Sequence, residues 1–125
     1  MATAYDTTQP RSTMLISADR VQGTDVYNPG GEHIGHIEDV MIDKVSGKIA
    51  YAVMGFGGFL GIGEKYHPLP WSILKYDVSK GGYVVPLERE VLENAPSYDL
   101  GDLKPDDPVW GNRVHDYYRV PPYWI

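Results

Sequence analysis

Two histidines three residues apart, His33 and His36, are the first side chains whose type and spacing could bind a metal ion. The residues around them are β-branched and include glycine, which favours a strand over a helix. Residues three apart on a strand point to opposite faces, so the two imidazoles cannot readily share an ion. We therefore predict structural or surface histidines and no metal site. The chain also has no cysteine, which excludes disulfides, thiolate nucleophiles and cysteine-based metal centres.

Three carboxylates, Glu38, Asp39 and Asp43, lie on the same predicted strand. Paired carboxylates can perform general acid–base chemistry where burial separates their pKa values. Asp43 precedes a turn, however, and its simplest role is to accept hydrogen bonds that organise the turn. Asp39 lies at a suspected β-bulge, where it could accept backbone N–H groups that the bulge leaves unpaired. We predict structural roles for these groups and no catalytic pair.

The other two histidines, His67 and His115, lack the neighbours that nucleophilic catalysis requires. His67 stands beside Tyr66 and near Trp71, and we interpret it as a packing or hydrogen-bonding residue. His115 has no nucleophile at motif distance, and nothing in the sequence marks a nucleophile elbow. The sequence therefore predicts no catalytic residue, no enzyme and no cofactor.

A glycine-rich run over residues 55–63 could be mistaken for a phosphate-binding loop. It lacks both the GK[ST] ending of a P-loop and the GxGxxG spacing of a dinucleotide site. Its side chains are apolar instead: Phe56, Phe59, Leu60 and Ile62. Two interpretations stay open, a loop that folds back to plug one end of the domain and an exposed apolar contact surface.

The end of the chain carries a dense group of aromatic residues. They are Trp110, Tyr117, Tyr118, Tyr123 and Trp124. Tyrosine and tryptophan suit interfaces because they bury a large area with few rotatable bonds. The same rings could wrap onto the chain's own domain, or two copies could exchange their tails.

Length and charge limit the classes of partner. The chain has 125 residues, the size of one domain, and a formal net charge of −6. Phosphate binding needs clustered lysine and arginine, and none occurs here, so the sequence argues against nucleic acid as a partner. No signal peptide is predicted, and the longest uncharged stretch, residues 49–63, is too short to span a membrane. We expect a cytoplasmic protein without direct membrane insertion.

The elements that position these residues are short strands. Residues 33–43 and 48–55 form the strongest predicted hairpin, joined by a turn with Gly47 in the left-handed region. Residues 48–55 are apolar on both faces, which predicts burial on both sides or a covering element. A second hairpin is predicted around residues 78–81, and Pro68 and Pro70 are expected to stop regular strand pairing.

Several runs together resemble the PRC-barrel family. They are GHIEDVMID over 35–43, GKIAY over 47–51, GGFLGIGEK over 57–65, LPW over 69–71 and LEREVLENAP over 87–96. The family is named for the cytoplasmic domain of the photosynthetic reaction-centre H subunit and includes the C-terminal domain of a ribosome-maturation factor. The resemblance implies a bacterial protein with a docking role in photosynthetic or RNA-processing complexes. It carries over no catalytic residue, because the family has none in common.

The combined prediction is a mainly β fold, a small closed or partly open barrel of about six strands. A short helix is expected over residues 87–94, followed by an irregular aromatic tail. We expect a flexible leader over 1–13, the barrel domain over 14–97 and a C-terminal extension over 98–125 that packs on the barrel or on a partner subunit.

The predicted function is non-enzymatic docking onto a protein partner, with homodimerisation. The candidate contact surface combines the apolar residues of 55–63 with the aromatic tail. The alternative is a small-ligand or cofactor-binding protein linked to photosynthetic electron transfer. Its candidate pocket would be lined by Tyr66, His67 and Trp71.

Overall fold

The computed structural model describes residues 15–56, 65–104 and 108–122. Six strands form one sheet in the order β4-β3-β2-β1-β6-β5. Neighbouring strands are antiparallel except for β1 and β6, which are parallel. The sheet is open, with β4 and β5 as its edges, so the predicted mainly β fold of about six strands is confirmed in its partly open form. The strands are β1 Asp25–Tyr27, β2 His33–Ile42, β3 Ile49–Phe56, β4 Lys65–Pro70, β5 Lys75–Asp77 and β6 Gly82–Val84.

The β2–β3 hairpin has the geometry that its residue pattern predicts. The pairing register shifts between Ile37 and Asp39, and this β-bulge places Ile37 and Val40 against the same core. The Asp39 carboxylate accepts a hydrogen bond from the Val40 N–H at 2.8 Å, the predicted role of that side chain. At the turn, Gly47 has a φ of +77°, and Asp43 accepts a bond from the Val45 N–H.

The β4 strand contradicts one prediction. Pro68 and Pro70 do not stop strand pairing, because β4 runs through both and pairs with β3 up to Tyr51 and Pro70. The reason lies at the edge of the sheet. The Tyr66 N–H and C=O point away from β3 and bond to Tyr98, so the backbone nitrogens two and four residues later face the same open side. The missing proline N–H groups therefore remove no bond to β3, and they block further pairing at this edge.

In the part of the chain that the structure describes, three short α-helices accompany the sheet: α1 Ala18–Val21, α2 Arg89–Glu93 and α3 Pro108–Tyr118. Helix α2 confirms the short helix predicted over 87–94. The prediction of an irregular tail is wrong over α3, which forms three turns. This segment has a low helix propensity because it contains Gly111 and several aromatic and β-branched residues. Its helical state comes from packing, since Trp110 and Val114 are buried against the sheet.

The buried apolar residues form two clusters, one on each face of β3. The main core joins the sheet to α1 and α2. Its buried residues are Val21, Val26, Ile34, Ile37, Ala52, Met54, Phe56, Leu69, Leu74, Tyr83, Val85 and Leu92. The smaller α3 cluster joins β3 to the C-terminal extension, and its buried residues are Ala50, Tyr51, Val53, Leu103, Trp110 and Val114.

Candidate functional site

The surface that receives α3 is the apolar side of β3 opposite the main core, which we call the α3 face. Tyr51 and Val53 lie on it, because they alternate along the strand with Ala52 and Met54 of the main core. The expectation that a second element covers β3 is therefore confirmed, and that element is α3.

Helix α3 presents one buried stripe to this face. Trp110, Val114 and His115 are buried, at the i, i+4 and i+5 spacing of one helix side. The ring of Trp110 meets the ring of Tyr51 edge-on, with centroids 4.9 Å apart and an interplanar angle of 62°. Pairs of this geometry contribute about 0.5–1.5 kcal/mol beyond the area that they bury. The aromatic content of the tail thus forms a specific contact with the sheet.

A buried polar pair sets the position of α3 on the sheet. The Tyr51 hydroxyl and His115 Nε2 are 2.6 Å apart, and His115 Nδ1 lies 3.3 Å from the Val120 carbonyl oxygen. In the neutral imidazole with its proton on Nδ1, the Nδ1–H donates to the Val120 carbonyl oxygen and Nε2 accepts a hydrogen bond from the Tyr51 hydroxyl. Burial lowers the pKa of His115, while the Val120 carbonyl and the Asp116 charge oppose that shift. The neutral imidazole is therefore the favoured form at neutral pH.

Further contacts hold the extension on both sides of this pair. The Tyr98 and Tyr66 backbones exchange two hydrogen bonds at the β4 edge, at 2.9 and 3.2 Å. The Trp110 indole N–H donates to the Lys104 carbonyl oxygen at 2.8 Å. At the far end of α3, the Tyr117 hydroxyl donates to the Val91 carbonyl oxygen of α2 at 2.6 Å. The extension therefore bridges the β4 edge, the α3 face and α2.

Hydrogen bonding at this interface is incomplete. The hydroxyl groups of Tyr98 and Tyr118 are buried, and neither has a hydrogen-bond partner in the structure. Burial also raises the pKa of the Tyr118 hydroxyl. A buried polar group without a partner costs about 1–3 kcal/mol. The contact between α3 and the sheet is thus specific, but it leaves two buried hydroxyl groups without hydrogen-bond partners.

The predicted pocket residues Tyr66, His67 and Trp71 do not line one cavity. Tyr66 packs against the α3 cluster, whereas the adjacent His67 lies on the other face of β4, against the Phe56 ring at 5.5 Å. Burial lowers the pKa of His67, with the Pro96 carbonyl opposing it. Trp71 packs beside Tyr83 of the main core. The proposed ligand site therefore receives no support from this geometry.

The predicted interaction residues fall into three groups. Phe56 and Trp110 are buried and Tyr118 is half-buried, so these three contribute to packing within the chain. Tyr117 is 36% exposed and lies beside Val91, which is 39% exposed. The remaining predictions lie outside the described residues: Phe59, Leu60, Ile62, Tyr123 and Trp124.

The groups that first invited a chemical interpretation make structural contacts. Asp43 accepts bonds from the Val45 N–H and the Ser46 hydroxyl, and these bonds lower the pKa of its carboxyl. His33 is exposed and pairs with Asp25 at 2.9 Å. Over the described part of the chain, no three histidine, aspartate or glutamate side chains come together as metal ligands. In the same residues, no helix is long and apolar enough to cross a membrane.

The sequence does not predict the contact between Tyr51 and His115, because the two residues are 64 positions apart. A local signal for the docked helix was nevertheless present. Trp110, Val114 and Tyr118 recur at intervals of four, which is the spacing of an apolar helix stripe. Combined with the two apolar faces of β3, this spacing pointed to a helix that covers the sheet.

Comparison with known proteins identifies the domain. The family model of the PRC-barrel domain matches residues 14–92, more than half of the chain, so this chain belongs to the PRC-barrel family. A similar solved structure is that of a candidate 16S ribosomal RNA processing protein, RimM, from Pseudomonas aeruginosa. The two are 20% identical with a TM-score of 0.40, and the match covers 66% of this chain and 50% of that chain. A search of curated protein sequences finds no match. Helix α3 lies beyond the matched residues.

Proposed function

We propose that this chain is a non-enzymatic docking module that forms a homodimer and binds a protein partner in the cytoplasm. The observation that carries the proposal is the α3 face. An apolar side of a PRC-barrel sheet accepts an aromatic helix that lies outside the matched family domain. A surface that selects a helix by ring contacts and one buried hydrogen bond has the properties of a protein-binding site.

The chemistry of the titratable groups supports a non-enzymatic role. Asp43 and Asp77 organise turns, and hydrogen bonds within those turns lower the pKa of both carboxyl groups. His67 packs edge-on against the Phe56 ring, and His115 forms a hydrogen bond with the Tyr51 hydroxyl. Asp43, Asp77 and His115 thus make hydrogen bonds within the chain, and His67 packs against an aromatic ring, which supports structural roles for these groups.

Self-association is tested by the mass of the full chain in solution, measured by light scattering over a wide range of concentration. We expect a dimer whose fraction rises with concentration. A chain that ends at Tyr98 lacks the extension and is expected to form less dimer. A constant monomer mass for the full chain would contradict self-association, and equal dimerisation of both chains would contradict the role of the extension.

Binding of a protein partner is expected at an exposed patch where the extension meets α2, formed by Tyr117 of α3 and Val91 of α2. The test is affinity capture with the full chain, the Tyr117→Ala variant and a matched control, each analysed by mass spectrometry. Val45→Ala is the control, since Val45 is an apolar residue that is 97% exposed in the β2–β3 turn. We expect proteins retained by the wild type and by Val45→Ala to be lost from Tyr117→Ala. Equal retention by all three would rule out this surface.

A further inference from the structure

Helix α3 depends on its contact with the sheet for its own structure. It has eleven residues with Gly111 in its interior, and helices of this length are marginal in water even with better formers. Its buried stripe meets the α3 face through Trp110, Val114 and His115. Separation of α3 from the sheet therefore unfolds α3, and the helix re-forms where an α3 face is available.

The segment before α3 contains a suitable hinge. Tyr98 is fixed to Tyr66 by two backbone hydrogen bonds, whereas Leu103 is buried in the α3 cluster and Lys104 is bonded to Trp110. Between these two anchors lies a short 3₁₀ helix, Leu100–Asp102, in which Gly101 and Asp102 are exposed. A Cβ atom added at Gly101 would meet nothing within 4 Å, and the neighbouring Asp99 makes only an exposed ion pair with Lys65 at 3.9 Å. Rotation here would carry Leu103 and α3 away as one unit and leave β4 intact.

The contact that α3 makes in its own chain is also incompletely satisfied. The buried hydroxyl groups of Tyr98 and Tyr118 have no hydrogen-bond partner. Each such group lowers the free energy needed to open the interface, since water can bond to it once α3 leaves. The opened chain exposes the apolar side chains of Tyr51 and Val53, which favours renewed contact with a helix.

A second copy of this chain is the occupant that fits the exposed face best. Its α3 reproduces every contact already described, including the Tyr51–Trp110 ring pair and the Tyr51–His115 hydrogen bond. Exchange of an identical element re-forms the same contacts and costs only the change at the hinge and the entropy of association. We propose that two chains exchange α3, so that the α3 face of each protomer binds the helix of its partner. This inference rests on the proposed self-association and names its surface and occupant.

The test uses two variants of the full chain with complementary defects. Tyr51→Ala damages the α3 face and leaves α3 unchanged, whereas Trp110→Ala damages α3 and leaves the face unchanged. A homodimer of either variant contains two exchanged contacts, and the substitution weakens both of them. A mixed dimer has one intact contact, between the face of the Trp110→Ala chain and the helix of the Tyr51→Ala chain. Native mass spectrometry distinguishes the mixed dimer because the two variants differ in mass.

Random pairing of equal amounts of the two variants gives twice as much mixed dimer as either homodimer, and we expect the mixture to exceed that ratio severalfold. Asn112→Ala, on the exposed side of α3, is the control and should dimerise as the wild type does. If Tyr51→Ala fails to fold, Tyr51→Phe removes only the hydroxyl group and should give a smaller enrichment in the same direction.

The outcomes separate this inference from the proposed function. A wild type that dimerises together with a mixture that shows no enrichment would overturn exchange of α3 but leave self-association intact. A full chain that stays monomeric at every concentration would overturn both.

Discussion

Strand β3 takes part in two interfaces that differ in composition and in the segments that they join. Towards the main core, Ala52 and Met54 meet aliphatic neighbours such as Ile37 and Leu69. Towards α3, Tyr51 meets an indole and an imidazole, and two buried tyrosine hydroxyl groups nearby lack partners. The first interface lies within the PRC-barrel domain, and the second joins that domain to a segment beyond it. From this difference we expect the main core to hold the fold and the α3 contact to open first.

The largest expected effect is a cavity in the main core. Leu69 is fully buried, and Leu69→Ala should lower the free energy of unfolding by about 2–5 kcal/mol. The matched control is Ile42→Ala, because Ile42 is 50% exposed and its truncation should change stability by less than about 0.5 kcal/mol. Urea denaturation measures both. Similar losses for the two variants would contradict the position of the main core.

A smaller loss is expected where β2 and β3 approach closely. A Cβ atom on Gly35 would overlap with the Gly55 backbone carbonyl oxygen, so Gly35→Ala must displace one strand. We expect a loss of about 1–3 kcal/mol in the free energy of unfolding. Gly101→Ala is the control, since an added Cβ there meets nothing within 4 Å and no loss is expected. Equal thermal stability of both variants would show that the strands can separate freely.

The α3 contact should respond differently to a comparable truncation. Trp110→Ala removes the ring contact with Tyr51 and the bond to Lys104. The loss of stability from Trp110→Ala cannot exceed the free energy that holds α3 on the sheet. We therefore expect the free energy of unfolding to fall by about 1–3 kcal/mol. Circular dichroism should show a loss of helix signal before the barrel unfolds. A single transition with unchanged helix content, as in the wild type, would contradict a separable α3.

The smallest effect concerns pH and tests the main core through His67. Burial lowers the pKa of His67 below its ordinary value of 6.5, so the unfolded chain binds a proton before the folded chain does. The contribution of neutral His67 to the free energy of unfolding is therefore fully present above about pH 6.5 and decreases as the pH falls through that value. His67→Phe keeps an aromatic ring beside Phe56 and should make stability less dependent on pH between about 7.5 and 5.5. Urea midpoints with equal pH dependence in both proteins would contradict this role.

Much of the fold could be predicted because its signals are local. The alternation of Ile34 to Ile42, broken once, predicted both the hairpin and its bulge, and Gly47 predicted the turn. The prediction that Pro68 and Pro70 stop strand pairing was wrong because an edge strand tolerates a missing N–H. Whether a strand lies at the edge depends on the arrangement of the whole sheet, which the local sequence does not show. Helix α3 was not predicted, although its apolar residues recur every four positions, because its helix propensity is low and its packing partner is distant in sequence.

The candidate site was predictable only in part for the same reason. Aromatic composition marked the tail as a contact segment, and Trp110 does form a contact, with its own sheet. The pairing of Tyr51 with His115 joins two distant parts of the chain, and no residue pattern in one sequence specifies such a pair.

Native-state hydrogen exchange of the full chain tests most directly whether the α3 contact opens separately from the main core. Backbone amides of α3 should exchange through a low-energy opening, whereas those of β2 and β3 should exchange only near global unfolding. We expect two levels of protection at low denaturant that converge as the denaturant concentration rises. One common level of protection for α3, β2 and β3 would show a single cooperative unit and would contradict a displaceable helix.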